Sequence, residues 1–298
     1  MKKILGIFIL FFTFNLSFSF ADNAPIFSNV NSYNNKLVKI GNYTFNYKTD
    51  SFRVFDKTGK KLLITVDRDE FDHPFDYPTD FFASDKYVYY VKLKREKGSS
   101  VMQIDLKSKK TKEIRKFPIY INIQTVKGND IYYNIDEGND VNDYIPSLKV
   151  FNINTKKDTH IAKNATDVKL GKTRLFYMGS AYDVNAIPFY SITYDYKNPK
   201  LISSTVFSYE IIGSKIYYAQ AKQVKLPDGR IVGDTEKQTL YVCNEDGSDK
   251  KALTGEINGY ITKIKSDEIE YQAIDSPKSY KMNLKTKKKQ ALPNNQFQ

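Results

Sequence analysis

The chain alternates short apolar runs with polar turns, and one such unit recurs six times. In each copy a Gly or Ser with a polar neighbour precedes a branched or aromatic residue and then further aromatic residues. Aligned on the first of these residues, the copies lie 45, 43, 44, 41 and 53 residues apart. A nearly constant period of this length is typical of repeat architectures such as propellers. The aligned positions are Tyr43, Val88, Ile131, Leu175, Ile216 and Ile269.

A second pattern follows each copy: an alternating strand, a polar turn rich in Lys and another short strand. Because Ile131-Tyr132-Tyr133 is apolar at consecutive positions, both faces of that strand need cover, which a sheet stacked between two other sheets provides. No helical periodicity is present after Ala21. The sequence therefore predicts an all-β fold, a six-bladed β-propeller with four-stranded antiparallel blades. Tyr132 and Tyr217 should then be buried between sheets.

One segment resembles the repeat of a known family. It contains a strand, the run Asn244-Glu245-Asp246-Gly247-Ser248, basic residues and Leu253-Thr254, and it is similar to the repeat of TolB-like propellers. The Ile-Tyr-Tyr copies resemble bacterial six-bladed propellers of unknown function that are related to the YWTD type of receptors. The resemblance covers about residues 36–292. It implies the fold alone, because the shared motif is a turn and carries no functional residue.

The first 21 residues have the pattern of a signal peptide. Lys2 and Lys3 precede the apolar run Ile4–Leu16, and Ser19-Phe20-Ala21 has small residues at the two positions that signal peptidase reads. A retained anchor would need about 20 apolar residues. We therefore expect cleavage after Ala21 and an exported protein. Residues 22–35 are then a lead segment, 36–292 the propeller and 293–298 a C-terminal tail.

Composition excludes several classes of protein. A single cysteine, Cys243, excludes internal disulfides and a cysteine-based zinc site, and only His73 and His160 are available for a histidine metal centre. The chain has no Trp, which sialidase boxes require, and no Gly-x-Ser-x-Gly nucleophile motif. His160 lies in a repeat strand, where it is predicted to be an ordinary outer-strand residue. We therefore predict no catalytic residue, no metal and no cofactor.

Two acidic segments are candidates for binding a hard cation through oxygen ligands. Asp67–Asp80 has an Asp-x-Asp spacing but lacks the Gly and the terminal Glu of an EF-hand, and Asp136–Tyr144 has no motif. Both are interpreted as solvated loops. The composition also offers paired carboxylates for glycoside hydrolysis, but no spacing singles out a pair.

Four segments depart from the repeat in length, and in a blade all four emerge on the same face. Loops that depart from a repeat carry what is specific to one protein. We predict a non-enzymatic scaffold that binds a protein or a cell-envelope polymer on this face; the alternative is a polysaccharide hydrolase or lyase with carboxylates in the same loops. The segments are Asp67–Asp80, Asp136–Pro146, Ser180–Pro188 and Ala221–Gln238. The candidate ligand-binding residues are Asp76, Tyr77, Asp143, Tyr144, Tyr182 and Arg230.

The chain is basic, with a formal net charge of +12 that falls to +10 when Lys2 and Lys3 are removed. The turns between third and fourth strands should share the face opposite the irregular loops. We expect solubility to be their main role, with a weak electrostatic contact to an anionic surface as the sharper alternative. Export separates the protein from nucleic acid, and the protein is expected to be a monomer. The turns hold Lys57, Lys60, Lys61, Lys107, Lys109, Lys110, Lys112, Lys156, Lys157, Lys197, Lys200, Lys250, Lys251, Lys285, Lys287, Lys288 and Lys289.

Overall fold

The computed structural model describes residues 27–30, 37–48, 51–67, 81–94, 98–138, 145–179, 187–274, 276 and 278–293. These residues form 25 strands and no helix, which confirms the all-β class. The strands pair in antiparallel fashion within five hydrogen-bonded sheets. The predicted signal peptide, most of the predicted lead segment and residues 294–298 lie outside the described residues.

Three sheets have four strands each, in the order of the chain. The first contains β2 (Val38–Ile40), β3 (Tyr43–Tyr47), β4 (Ser51–Asp56) and β5 (Leu62–Asp67). The third contains β10 (Ile121–Lys127), β11 (Asp130–Asp136), β12 (Pro146–Asn152) and β13 (Asp158–Lys163). The fourth contains β14 (Ala165–Leu170), β15 (Arg174–Gly179), β16 (Phe189–Thr193) and β17 (Lys200–Ser203).

The second sheet gains a fifth strand from the N-terminal end of the described chain. Its order is β1 (Ser28–Asn29), β6 (Phe82–Ala83), β7 (Tyr87–Lys94), β8 (Gly98–Asp105) and β9 (Lys110–Phe117). The backbone N–H of Val30 donates to the carbonyl of Phe81 (3.0 Å), and that of Phe27 donates to the carbonyl of Val126 in the third sheet (2.9 Å). Phe27 and Val30 are buried. The segment 27–30 therefore links the second and third sheets along their first strands.

The fifth sheet has eight strands because two four-stranded sets are joined. One set is β18 (Val206–Ile212), β19 (Lys215–Lys225), β20 (Ile231–Asn244) and β21 (Lys251–Ala252). The other is β22 (Ile257–Ile264), β23 (Glu268–Ala273), β24 (Ser279–Asn283) and β25 (Lys289–Ala291). β20 pairs with β22 only at Lys237–Asn258 and Gln238–Ile257. The four-stranded pattern is thus confirmed, while the hydrogen bonds define five sheets.

Four hydrophobic clusters join successive sheets face to face, and a fifth joins the two four-stranded sets of the fifth sheet; we call each such contact a seam. At the first seam the rings of Phe52 and Phe81 stack with their centroids 4.1 Å apart. In β11, Tyr133 packs towards the second sheet and Tyr132 towards the fourth. This alternation confirms the prediction that the aromatic strands are covered on both faces. Tyr132 is 1% exposed, whereas Tyr217 is only half-buried and its neighbour Tyr218 is fully buried.

The pairing register corrects the alignment of the first repeat. Tyr43 pairs with Asp56 at the start of β3, as Asp130 pairs with Asn152 at the start of β11. The residue equivalent to Ile131 is therefore Thr44 and not Tyr43. Because successive residues of a strand point to opposite faces, this shift of one residue exchanges the two faces of the first sheet.

The first strands of neighbouring four-stranded sets approach one another: β10 of the third sheet contacts β14 of the fourth, and within the fifth sheet β18 contacts β22. Side chains connect them: the Tyr209 hydroxyl on β18 donates to the Asp167 carbonyl on β14. Asn134 Nδ2 of the third sheet likewise donates to the Ala165 carbonyl (2.8 Å). The sheets are therefore arranged around their first strands, as propeller blades are arranged around a central axis.

Candidate functional site

The antiparallel order places the connections at two opposite ends of the sheets. One end carries the connections between second and third strands and the links between sheets; we call it the loop face, and its described parts include the residues that flank 68–80, 139–144 and 180–186 and the turn 225–231. The other end carries the turns between third and fourth strands; we call it the turn face, and it consists of 56–61, 105–112, 152–158, 193–200, 244–251 and 283–289. The described residues of the four irregular segments lie at the loop face.

A two-stranded ribbon projects from the loop face. Its strands β19 and β20 have 11 and 14 residues and are longer than the other strands of the described chain. Beyond the sheet they pair from Lys222–Asp234 to Lys225–Ile231. The turn at the tip closes with a hydrogen bond from the Leu226 N–H to the Arg230 carbonyl (2.8 Å). The ribbon is a regular element that the other sheets of the described chain lack.

The base of the ribbon is fixed by the buried side chain of Gln238, which is 0% exposed. Its Oε1 accepts from the N–H of Ile261 on β22 (2.9 Å), and its Nε2 donates to the carbonyl of Thr235 (2.7 Å). Lys222 on the ribbon pairs with Glu256 beside β22 (3.2 Å). A ribbon held at its base by a satisfied buried amide keeps its direction relative to the sheet.

Arg230 is the one predicted site residue within the described chain, and it lies at the tip of the ribbon. Its Nε donates to Asp228 Oδ2 (2.7 Å), and both side chains are exposed. Hydrogen bonds from the backbone and side chain of Arg230 lower the pKa of Asp228. The predicted residues Asp76, Tyr77, Asp143, Tyr144 and Tyr182 lie outside the described residues.

The base of the segment 136–146 is ordered by one carboxylate. Asp136 Oδ1 accepts from the N–H groups of Gly138 (2.9 Å) and Ile145 (3.0 Å), on the two sides of the loop. Glu137 pairs with Lys149 (2.7 Å), and this contact lowers the pKa of Glu137. The acidic residues described here are therefore engaged in the protein's own structure.

The chemistry of a metal or nucleophile site is not assembled in the described part of the chain. Within it, no group of three or more His, Cys, Asp and Glu side chains is placed to hold a metal ion. Burial raises the pKa of the Cys243 thiol to about 11, so the thiol stays protonated at neutral pH. His160 is exposed on the outer strand β13, as predicted.

Sequence reasoning missed one buried carboxylate, that of Glu245, which is 6% exposed. It accepts from the N–H groups of Lys172 (2.6 Å) and Thr173 (2.7 Å) and from the Thr173 hydroxyl (2.5 Å). Those donors belong to the hairpin between β14 and β15, so Glu245 connects the fourth and fifth sheets. The aligned repeats contain a signal for this contact, because Leu106 and Leu284 occupy the same position of their turns.

The six turns of the turn face share one construction. Each begins with a short polar side chain that forms hydrogen bonds inside the turn, as when Asn152 Oδ1 accepts from the N–H groups of Asn154 (3.1 Å) and Thr155 (2.9 Å). In the first turn, hydrogen bonds to the Asp56 carboxylate lower its pKa, and the one donated by the Thr58 hydroxyl has the largest effect. The shared construction gives each turn the same place relative to its sheet. The first residues are Asp56, Asp105, Asn152, Thr193, Asn244 and Asn283.

Three of these turns hold a lysine in the left-handed backbone region. The φ angles of Lys109, Lys156 and Lys287 are 60°, 58° and 60°. That region costs a residue with a Cβ about 1 kcal/mol, and Gly or Asn is the usual occupant. Gly59 and Gly247 occupy this region in two other turns, and so do Tyr196, Asn198 and Asp249. The positive φ therefore belongs to the turn and is not peculiar to lysine.

The architecture matches that of solved β-propellers. The tricorn protease superposes with a TM-score of 0.56 at 11% identity, over 85% of this chain and 29% of that chain. An oligogalacturonate lyase in complex with manganese gives 0.53 at 11% identity, over 83% and 72% of the two chains. The β-propeller domain of the Trilobed protease from Pyrococcus furiosus gives 0.52 at 10% identity, over 91% and 84%. At these identities the likeness shows the fold, and it confirms the propeller class that the TolB-like resemblance implies.

No protein-family model matches the chain, and no curated protein matches it. In the part of the chain that the structure describes, no helix has the length and apolar character needed to cross a membrane.

Proposed function

We propose that the chain is an exported six-bladed propeller that acts as a non-enzymatic binding scaffold through its loop face. In this proposal the eight-stranded sheet is two blades, β18–β21 and β22–β25, that share the two residue pairs at the ribbon's base. The six turns of common construction support a count of six, because each blade contributes one.

The ring would close where the first and last sheets meet. The polar side chains Thr44, Asn46 and Ser51 on the first sheet are 0%, 5% and 5% exposed. Their burial supports the closure, because a polar face at an open end of a stack would be accessible to water. The closing contact joins that face to the polar face of β23 and β24.

The ribbon is the observation that carries the binding function. It departs from the repeat, its base is fixed by Gln238, and its end exposes Val224 (39% exposed) beside the charged pair of Arg230 and Asp228. A rigid scaffold that holds a protruding, sequence-specific element is the usual arrangement for recognition. We propose that this element binds a protein or a polymer of the cell envelope.

The ribbon is tested by shortening it. Replacing 223–233 with Asn-Gly joins Lys222 to Asp234 through a two-residue hairpin and keeps the contacts of Lys222 and Gln238 at the base. Immobilised protein should retain specific components of an envelope extract, and the shortened variant should lose them. Arg230→Ala is the milder partner variant and should weaken the same retention. Equal retention by all three proteins, at unchanged thermal stability, would refute a binding role for the ribbon.

The alternative is a polysaccharide hydrolase or lyase with carboxylates in the loop face. The same purified protein is incubated with acidic polysaccharides, and products are followed by reducing ends and by the ultraviolet absorbance of unsaturated sugars. We expect no turnover. Turnover that survives in the shortened variant would replace the scaffold proposal with the enzymatic one.

A further inference from the structure

We propose that the turn face binds a linear polymer of phosphate groups along its lysines. The six turns contain seventeen lysines and seven acidic residues. All seventeen lysines are exposed. The acidic residues are partly engaged elsewhere: Asp158 pairs with Arg115, and Glu245 is buried in its contact with the hairpin at Thr173.

No ion pair of the described residues uses the turn lysines. Lys287 donates a hydrogen bond to the Leu253 carbonyl and Lys250 donates one to Gln220 Oε1 (3.0 Å), which leaves the ammonium groups of the other fifteen without a hydrogen bond among the described residues. The ion pairs of the described chain lie elsewhere, for example between Lys149 and Glu137 or between Lys263 and Glu270. An exposed ammonium group is therefore a feature that all six turns share.

The type of cation indicates the chemistry of the partner. The six turns contain only lysines and no arginine. Arginine binds carboxylates and phosphates through two parallel hydrogen bonds, whereas lysine binds phosphate as a point charge, so the turn face is suited to electrostatic attraction along a chain of charges and not to recognition of one planar group. The charge is spread over six turns and is not gathered in one pocket, so a long polymer that crosses several turns fits it better than a small anion.

The six turns also lack exposed aromatic groups that could bind the bases of a nucleic acid or enter a lipid surface. Tyr194 and Tyr196 are half-buried, and their hydroxyls are used: Tyr194 donates to the Gly171 carbonyl (2.7 Å), and Tyr196 contacts the Tyr132 hydroxyl (3.1 Å). Single-stranded nucleic acid needs aromatic platforms on which bases stack. Stable insertion into a bilayer interface needs apolar side chains. A phosphate polymer without bases or acyl chains requires neither.

The binding is measured with immobilised inorganic polyphosphate and the purified protein over a range of salt concentrations. The test variant carries Lys107→Gln, Lys109→Asn, Lys285→Gln and Lys288→Gln. The matched control carries Lys48→Gln, Lys163→Gln, Lys225→Gln and Lys278→Gln. The control removes the same charge from exposed lysines at the loop-face ends of the sheets.

We expect the test variant to bind about tenfold more weakly at low salt and its affinity to depend less steeply on salt, because fewer counterions are released. The control should bind like the unchanged protein, and thermal midpoints should be similar for all three. Equal weakening in both variants would overturn the proposal, since net charge and not the turn face would then decide. Stronger binding to an RNA oligonucleotide or to phosphatidylglycerol vesicles than to polyphosphate would also overturn it.

This inference does not depend on the proposed function of the ribbon. The ribbon-shortened variant should bind polyphosphate unchanged, and the turn-face variant should keep the retention of envelope components. Failure of one experiment therefore leaves the other proposal standing.

Discussion

The five seams differ sharply from the outer faces of the first and last sheets. At a seam, the second strand of a sheet presents aliphatic and aromatic side chains, such as Ile131 and Tyr133 or Leu175 and Tyr177. At the first position of β3 that would continue this pattern, the chain has Thr44. The sheet face that is apolar five times is therefore polar on the first sheet.

The last sheet shows the same change on its opposite face. Ile269 and Tyr271 of β23 pack into the fifth seam, while Glu270 and Gln272 point to the other side. Glu270 is paired with Lys263 (3.2 Å). The faces that have no seam among the described residues thus present polar and charged side chains where the seams present apolar ones.

The difference separates two contributions to the structure. Burial of apolar area stabilises a seam with little dependence on exact geometry, at about 25 cal/mol per Å². A polar face gains little from burial unless each group finds a partner, so it contributes mostly specificity. The seams are therefore expected to contribute most of the free energy of unfolding. The contact between the two polar faces is expected to be the weakest in the proposed ring.

The largest expected effect comes from deleting an aromatic ring at a seam. Phe176 is 0% exposed and lies within 6.1 Å of the Phe189 ring, centroid to centroid. Phe176→Ala should lower the free energy of unfolding by about 3–5 kcal/mol, measured by urea denaturation. The matched variant on the polar face, Gln272→Ala, should cost about 0.5 kcal/mol or less. Similar losses in both variants would contradict the distinction between seams and polar faces.

A polar contact that crosses a seam gives the next largest effect. Glu245→Gln turns an amide N–H₂ towards donors of Lys172 and Thr173 that now have a carboxylate acceptor. Leaving such donors unpaired costs about 1–3 kcal/mol. We expect a loss of about 2 kcal/mol in urea denaturation. Asp228→Asn at the exposed tip of the ribbon is the control and should change the stability little; a larger loss there than at Glu245 would refute the role of the buried contact.

The repeat itself could be predicted from the sequence because period, hairpin glycines and consecutive apolar residues are local signals. The register of the first copy could not, since Tyr43 and Phe45 offer an aromatic pattern in the wrong phase. Only the pairing of Tyr43 with Asp56 identifies Thr44 as the equivalent position. Aligning the repeats on their aromatic residues therefore assigns an apolar residue to a position of the first sheet that the pairing register assigns to the polar residue Thr44.

The loop face was predicted from departures in repeat length, and the ribbon at 221–238 is one of those departures. The contacts that fix it join distant residues, as Gln238 joins Ile261, and no local pattern predicts such a pair. Five of the six predicted site residues lie outside the described chain, and the binding role of all six stays a prediction.

A substitution on the polar face of the first sheet is expected to raise the free energy of unfolding, by less than the losses predicted above. The Thr44 hydroxyl is fully buried and has no hydrogen-bond partner among the described residues. Thr44→Val replaces it with a methyl group of the same shape and should raise the free energy of unfolding by about 1 kcal/mol. The thermal midpoint should rise with it. A loss of stability would mean that the hydroxyl has a partner and that the polar face is better satisfied than its described contacts indicate.

The smallest effect concerns pH and the polar face of the last sheet. Glu268 contacts Lys265 and Lys281, the latter at 2.5 Å, and hydrogen bonds from these two lysines lower its pKa. Since the folded state holds the carboxylate charged more firmly than the unfolded chain, the contribution is present above the unfolded pKa of about 4.3 and is lost as pH falls through the lower folded value. Amide hydrogen exchange on β23 and β24 should therefore accelerate at low pH more than exchange at the apolar seams. Glu268→Gln should remove that part of the pH dependence and leave the seams unchanged. Equal acceleration in β23 and in β11, which lies between two apolar seams, would show that acid weakens the whole stack and not its polar face.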